Sequence, residues 1–369
     1  MKKTSLIFAA LFATSFAMAQ NTASTSQTGN SNEATTTQAG SGLQASSTQS
    51  GNLNEANVSQ IGRLHNSEVN QTGASNTSTV NQTATLGAGS VVKVDQIGDE
   101  NTAFYEGWNN SKATQFQQGN GNFATAGLIG DNRDDFGGGS VITQRQVGDD
   151  NSATALRVGT NADAIKITQI QEGNGNIAEA NRIQARNTVN QTQTGDGNKA
   201  YVFENNDGRL VGRSTVTQTQ TGDNNYASLS SSTGTGSILS TEYSQIQIGD
   251  DNQSRILSFN PTLVATTYQE GDNNTALIDQ SAADNSATII QGDALNLSND
   301  NTASIFQSGE LNIANLSQFG NSNTGMITQS SDSNLANLTQ TGNSNTATIT
   351  QSGMGIPGLT PVGGSIPNN

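Results

Sequence analysis

The sequence has no cysteine, a single histidine, one tryptophan and four prolines in 369 residues. Without cysteine there is no disulfide framework and no thiolate metal site. With His65 as the only imidazole, no Ser/His/Asp relay can be built, and a structural polar role is the default for that residue. Apolar residues make up 31% of the chain, against the ~45–50% of ordinary globular domains, so a conventional layered core is not expected. Basic residues are scarce, 15 against 30 acidic, and form no cluster, which argues against a nucleic-acid partner. The acidic balance favours a subunit that stays soluble before it associates.

Long apolar runs are absent except at the start, MKKTSLIFAALFATSFAMAQ. Lys2 and Lys3, the apolar stretch from Leu6 to Phe16 and the small-residue site Ala17-Met18-Ala19 read as a secretory signal peptide over 1–19, too short for a stable membrane span. Cleavage after Ala19 would leave Gln20 first, with no Cys to carry a lipid. The mature chain is expected to leave the cytoplasm.

What the chain does have is amide, hydroxyl and glycine. Composition alone would suggest disorder. The spacing argues otherwise. Gln307, Gln318, Gln329, Gln340 and Gln351 fall eleven residues apart, with Asn312, Asn323, Asn334 and Asn345 five residues after the preceding Gln. A small residue and then an aliphatic follow at steps of two, giving Asn-x-Ala-x-Ile-x-Gln and then a four-residue turn, usually with Gly. Period-two alternation over seven residues is a strand signal, and no 3.6-residue stripe competes with it. A fixed short period is the mark of a solenoid, in which each coil covers the face of the one before.

The unit recurs from Asn21-Ala23-Thr25-Gln27 onward. In the middle of the chain, strands ending at Gln96, Gln117, Gln146, Gln171, Gln193, Gln220, Gln247 and Gln269 run into tight Gly turns that lead to an Asn. In most of these the closing Gln of the following strand is replaced, at Gly107, Leu128, Arg157, Arg182, Glu204, Ser231 and Ser258. Insertions such as 129–139 and 205–213 fall between pairs of strands. The stretch Gly292 to Asp300 is the exception, reading as a local bulge on the tight edge. The expected fold is therefore all-β, a parallel β-solenoid with two strands per coil. Counting Gln-equivalent positions from Gln27 to Gln351 gives 28 strands, or about 14 coils, and a length of roughly 65 Å at the ~4.8 Å strand spacing. The solenoid spans 20–351, and the Pro- and Gly-rich segment 352–369, with Pro357, Pro361 and Pro367, reads as a flexible tail or partial cap.

Inward amides are costly unless paired, and stacking in register lets each meet its own kind one coil away. The expected inward ladder comprises Gln49, Gln60, Gln71, Gln146, Gln193, Gln220, Gln247, Gln269, Gln280, Gln307, Gln318, Gln329, Gln340 and Gln351. With them go Asn54, Asn151, Asn198, Asn225, Asn274, Asn312, Asn323, Asn334 and Asn345. The turn glycines are Gly51, Gly148, Gly195, Gly222, Gly249, Gly271, Gly309, Gly320 and Gly342.

The unit Ser/Asn-x5-Gln-x-Gly-x-x-Asn-x-Ala-x3-Gln resembles the curlin repeat of curli fibre subunits. Ser214 to Gln220 with Gly222, Asn225 and Ala227 matches it, as does Ser140 to Gln146 with Gly148, Asn151 and Ala153. The resemblance implies a secreted, cell-surface amyloid subunit that polymerises with itself for adhesion and biofilm matrix. It also implies other curlin subunits as partners, an outer-membrane secretion channel, and no enzymatic activity or cofactor. A rival reading is a monomeric solenoid adhesin with 129–139 and 205–213 as its contact surface. Two site readings are weaker than their bland counterparts. Asp196, Asp223, Asp250 and Asp272 share one turn position and could recruit Ca²⁺, but ordinary Gly-Asp turn chemistry on a solvated edge is the stronger reading. Thr215, Thr217, Thr219 and Thr221, and Thr346, Thr348 and Thr350, could form an ice-binding array, but β-propensity explains them too.

Overall fold

The structure is a computed structural model and describes residues 20–83, 89–108, 110–129, 139–158, 165–183, 187–206, 213–233, 240–259, 263–293, 298–353 and 364–365. The leader 1–19 and the greater part of both 129–139 and 205–213 lie outside the described residues. The described elements are β-strands in two parallel sheets. The first sheet begins with Thr22–Thr28 and Gln44–Asn52 and reaches Leu335–Thr341; the second runs from Glu33–Ser41 to Thr346–Gln351. Each strand pairs with the next but one in sequence, so one coil is one strand from each sheet. The second sheet has 14 strands; the first has 15, the last being the two-residue Gly364–Ser365. This is the two-strand solenoid of about fourteen coils that the repeat predicts.

Register follows the repeat. Gln27 pairs with Gln49, Ala45 with Ser67, and Gln318 with Gln340. Burial alternates along each strand, as the two-residue period demands: Ala56, Val58 and Gln60 are buried while Asn57 and Ser59 are half-buried. The apolar core is one residue deep from each sheet. It is lined by Val58, Val69, Val80 and Val94 near the start and by Ile289, Ile305, Leu316 and Ile327 near the end. Burying a Leu or Ile contributes ~1.5–3 kcal/mol, so a coil with two such residues gains little on its own and depends on neighbours above and below.

The two edges differ. From first sheet to second, the chain turns through Gly-x-x-Asn without insertion in most coils. Gly51, Gly148, Gly195, Gly222, Gly249, Gly271, Gly320 and Gly342 take φ between 100° and 118°. Gly309 does not belong with them: it lies on the opposite edge, after Thr302–Gln307 of the second sheet, and is absent from the positive-φ glycines. The residue before each inward Asn is left-handed whatever its type, including Leu53, Glu100, Asp150 and Ser322. At Gly292 to Asp300, residues 294–297 lie outside the described residues, but Ser298-Asn299-Asp300-Asn301 reproduces the turn, with Asp300 at φ 57° and the Ser298 carbonyl in the place of the usual glycine carbonyl.

One sequence-based assignment needs correction. The closing position of strand Ile177–Ile183 is filled by Ile183, which pairs with Arg157 after a register shift and is fully buried, rather than by Arg182. An unpaired guanidinium in this interior would cost several kcal/mol; one extra residue removes that cost by bringing an aliphatic inward.

A Cβ on Gly222 would lie 2.3 Å from the Gly249 carbonyl oxygen, whereas one on Gly175 (φ 63°) meets nothing within 4 Å. Gly175→Ala should therefore cost only the left-handed penalty, about 1–2 kcal/mol. Gly222→Ala should cost clearly more, because the backbone of the next coil must move. Urea unfolding of the two variants side by side checks this order.

Candidate functional site: amide ladders and their open ends

The inward Gln of each first-sheet strand forms one unbroken chain of side-chain hydrogen bonds. Gln27 Nε2 donates to Gln49 Oε1 at 2.7 Å, Gln49 to Gln71 at 2.8 Å and Gln71 to Gln96 at 2.9 Å. The chain continues through Gln117, Gln146, Gln171, Gln193, Gln220, Gln247, Gln269, Gln291 and Gln318 to Gln340. Every donor points the same way, toward the C-terminal end. Past the first coil, the Nε2 also reaches a carbonyl of the opposite sheet, as from Gln146 to Phe123 and from Gln318 to Thr302. The ladder thus ties coil to coil and sheet to sheet.

An Asn ladder on the tight edge runs with the opposite polarity. The backbone N–H of Asn54 donates to Asn32 Oδ1, that of Asn151 to Asn122, Asn198 to Asn176, Asn225 to Asn198, Asn274 to Asn252, Asn323 to Asn301 and Asn345 to Asn323. The Nδ2 of the same residue grips the turn of the next coil, as from Asn151 to the Gly173 carbonyl at 2.7 Å. Asn312 and Asn334 stand elsewhere, in a short column with Asn285 on the opposite edge.

Gln60, Gln280, Gln307, Gln329 and Gln351 belong to a second-sheet ladder present only near the two ends. Gln38 donates to Gln60 and Gln60 to Gln82; then Gln280, Gln307, Gln329 and Gln351 form a second run. Across the gap, a third ladder takes over in the first sheet: Gln115, Gln144, Gln169, Gln191, Gln218 and Gln245. It occupies the aliphatic position of the repeat, facing small residues such as Ala126, Ala155 and Ala180. Sequence reasoning missed these residues. Their signal was the recurrent Gln-x-Gln of 115/117, 144/146 and 218/220.

Two tyrosines fill other vacated space. A Cβ at Gly107 would meet the Tyr105 hydroxyl at 1.9 Å, and the Tyr243 hydroxyl bonds Ser258 Oγ at 2.7 Å. Both stand where the closing Gln is lost. Burial pushes the Tyr105 hydroxyl up to about 12, with the neighbouring Ser90 and Ser111 offsetting only part of the shift. His65 is buried on the loop-bearing edge. Its Nδ1 accepts the Ser90 N–H at 3.0 Å, so Nε2 carries the proton and donates to the Ile61 carbonyl. It does what an Asn Oδ1 does elsewhere on that edge, where Asn187 accepts the Ser214 N–H.

The turn aspartates form a column of backbone hydrogen bonds. Asp223 Oδ1 accepts the Asp196 N–H, Asp250 that of Asp223, and Asp272 that of Asp250, each at 2.8–2.9 Å. Asn120, Asn174, Asn299 and Asn343 do the same elsewhere in the column. No cluster of three metal-ligating residues occurs among the described residues. Thr215, Thr217, Thr219 and Thr221 point outward on the first sheet, and Thr346, Thr348 and Thr350 on the second. A shallow groove on the outer face of the second sheet is lined by Tyr226, Ser228, Gln253, Arg255, Thr275 and Leu277; it brings together no nucleophile and base.

The fold and interior define a parallel β-solenoid organised by stacked side-chain amides. The curlin associated repeat family matches residues 265–292, 299–330 and 331–355, so this part of the chain is built of curlin repeats. These segments carry Gln269, Gln280, Gln291, Gln307, Gln318, Gln329, Gln340 and Gln351. No curated protein matches the chain.

Burial holds the His65 pKa below its ordinary value, outweighing the bond to the Ile61 carbonyl. The unfolded chain therefore takes up the proton first. This residue's contribution is complete above the unfolded value near pH 6.5 and is lost as pH falls below it. Between about pH 7.5 and 5, the urea midpoint should fall further for the natural chain than for His65→Asn.

Proposed function

We propose that this protein is a structural subunit of an extracellular curli-type fibre that grows by end-to-end addition of identical solenoids. The single observation that carries this reading is the state of the two ends. At the N-terminal end, strand Thr22–Thr28 is exposed at every position, and among the described residues nothing donates to Gln27 or Gln38 from outside. At the C-terminal end, Gln340 and Gln351 accept from Gln318 and Gln329, and among the described residues no Gln receives from them in turn. A second copy set one coil further would let Gln340 donate to its Gln27 and Gln351 to its Gln38. The Asn345 Oδ1 would meet its Asn32 N–H by the same rule. Each unmet group at one end has its complement at the other. Open strand edges of this kind template further strands.

The curlin repeats support a structural rather than enzymatic role, and the signal-like leader supports export. Adhesion and biofilm matrix follow from the family resemblance, as do an outer-membrane secretion channel and other curlin subunits as partners.

The test uses the purified mature chain. It should convert into thioflavin-positive fibres with cross-β diffraction. Replacing Gln318, Gln329 and Gln340 together by Ala leaves buried amide groups unpaired, at about 1–3 kcal/mol each, and should slow fibre growth by about tenfold or more. Thr348→Ala, on an outward position, should leave growth nearly unchanged. A chain that remains a soluble monomer for days at high concentration would instead favour the solenoid adhesin.

A further inference from the structure

Of the many asparagines in the chain, two stand before glycine: Asn120-Gly121 and Asn174-Gly175. Such a pair can react with itself. The peptide nitrogen of the glycine attacks the side-chain carbonyl carbon of the asparagine. A C–N bond forms, the amide nitrogen leaves as ammonia with the proton of the attacking nitrogen, and a five-membered succinimide remains. Water then opens the ring at one carbonyl or the other, giving aspartate or isoaspartate. A side chain on the second residue hinders the attack, and glycine has none.

Both pairs lie on the tight edge, at the turn position that Asp196 and Asp223 hold in other coils, and both asparagines are exposed. Stacking ties down the atoms that would react. Asn120 Oδ1 accepts the Asp99 N–H at 2.9 Å, and the Gly121 N–H donates to the Asp99 carbonyl at 3.0 Å. Asn174 Oδ1 accepts the Asp149 N–H at 2.8 Å, and the Gly175 N–H donates to the Asp149 carbonyl at 2.9 Å. In each turn the electrophile and the nucleophile are held by the two backbone groups of one residue in the preceding coil. The following coil holds the asparagine too. The Asn120 N–H donates to Asp149 Oδ1 and the Asn174 N–H to Asp196 Oδ1, each at 2.7 Å.

We propose that Asn120 and Asn174 are sites of spontaneous deamidation that react in the unfolded chain and are protected once the coils stack, so that these two turns limit how long a chain can stay unfolded and still form the solenoid. Ring closure needs the side chain to swing onto the glycine nitrogen and that nitrogen to release its proton; the stacked turn prevents both. The two products differ in consequence. Aspartate repeats what the column already contains, since Asp223 and Asp250 accept the same kind of N–H through Oδ1. Isoaspartate carries the main chain through the β-carbon and lengthens the turn by one backbone atom. The tight edge has no slack for it: a Cβ on the preceding Gly119 or Gly173 would already lie 2.1 Å from a carbonyl oxygen of the next coil. Asn122 and Asn176 then lose the register in which they bond Asn101 and Asn151.

The experiment ages the mature chain unfolded in guanidinium chloride and, in parallel, folded in buffer at the same neutral pH and temperature. Peptide mapping by mass spectrometry follows each asparagine. Deamidation at Asn120 and Asn174 should run about tenfold faster or more in the unfolded sample, because reaction in the folded one must wait for local opening. It should also outpace that at Asn321 and Asn343, which precede serine. The aged unfolded chain should lose refolding yield, read by circular dichroism, in step with its isoaspartate content. Gly121→Ser with Gly175→Ser recreates the Asn-Ser pair of Asn343-Ser344 and should keep its yield over the same time. Asn120→Asp with Asn174→Asp, freshly made, should refold with a urea midpoint close to that of the natural chain. Equal deamidation rates in the folded and unfolded samples would overturn the protection. Refolding that is indifferent to isoaspartate would overturn the time limit. Both readouts concern the coil itself and are independent of fibre growth.

Discussion

An amide buried away from water must be hydrogen-bonded, or it costs about 1–3 kcal/mol. In this protein the partner is the same residue one coil away, and that requirement governs the rest of the structure. It fixes register, since a slip of one residue would send every Gln outward. It explains why the chain tolerates an apolar fraction of 31%: much of the interior is filled by satisfied polar groups rather than by hydrocarbon. It also explains why stability is collective. A lone coil would bury Gln and Asn with no partner above or below, whereas each added coil satisfies the one before it.

The turns serve the same end. The tight edge brings glycine carbonyls within 2.7 Å of an Asn Nδ2 from the preceding coil, as at Gly173 and Gly249. A side chain on those glycines would block the approach. The next residue bonds the backbone of the neighbouring coil through Asp or Asn, and the one after it is left-handed to aim the Asn inward. Strain at Leu53 or Glu100 is therefore held in place by three hydrogen-bonded columns rather than by local preference. The loop-bearing edge has weaker columns, with Asn, Ser and His65 sharing one role, and most of the insertions fall there.

Much of this was legible because period two and period eleven are written directly in the residues. The two-strand coil, the tight and loose edges and the direction faced by Gln318 or Asn151 follow from spacing alone. The middle of the chain was harder to read. A Gln at the aliphatic position, such as Gln144 or Gln218, looks like an ordinary outlier until its stacking partner is known, because stacking joins residues more than twenty positions apart. Tyr105 opposite Gly107 is a volume exchange between two positions of one strand, invisible without packing. Ile183 shows the limit of counting: where the expected position would bury Arg182, the backbone takes in one extra residue. The opposite polarities of the Gln and Asn ladders belong to hydrogen-bond geometry, and no sequence pattern encodes them.

Those polarities constrain any assembly of the chain. All Gln ladders donate toward the C-terminal end, and the tight-edge Asn ladder donates toward the N-terminal end. Two N-terminal faces brought together would set Gln27 Oε1 against Gln27 Oε1, acceptor on acceptor, with the Asn32 donors likewise opposed. Two C-terminal faces would mismatch in the converse sense. A twofold, self-closing dimer through the ends is therefore disfavoured. The head-to-tail contact is heterologous, and a straight stack repeats it by translation with no angle that closes a ring. Under the assembly proposed above, an open filament with two chemically distinct ends follows from the direction of the side-chain amides.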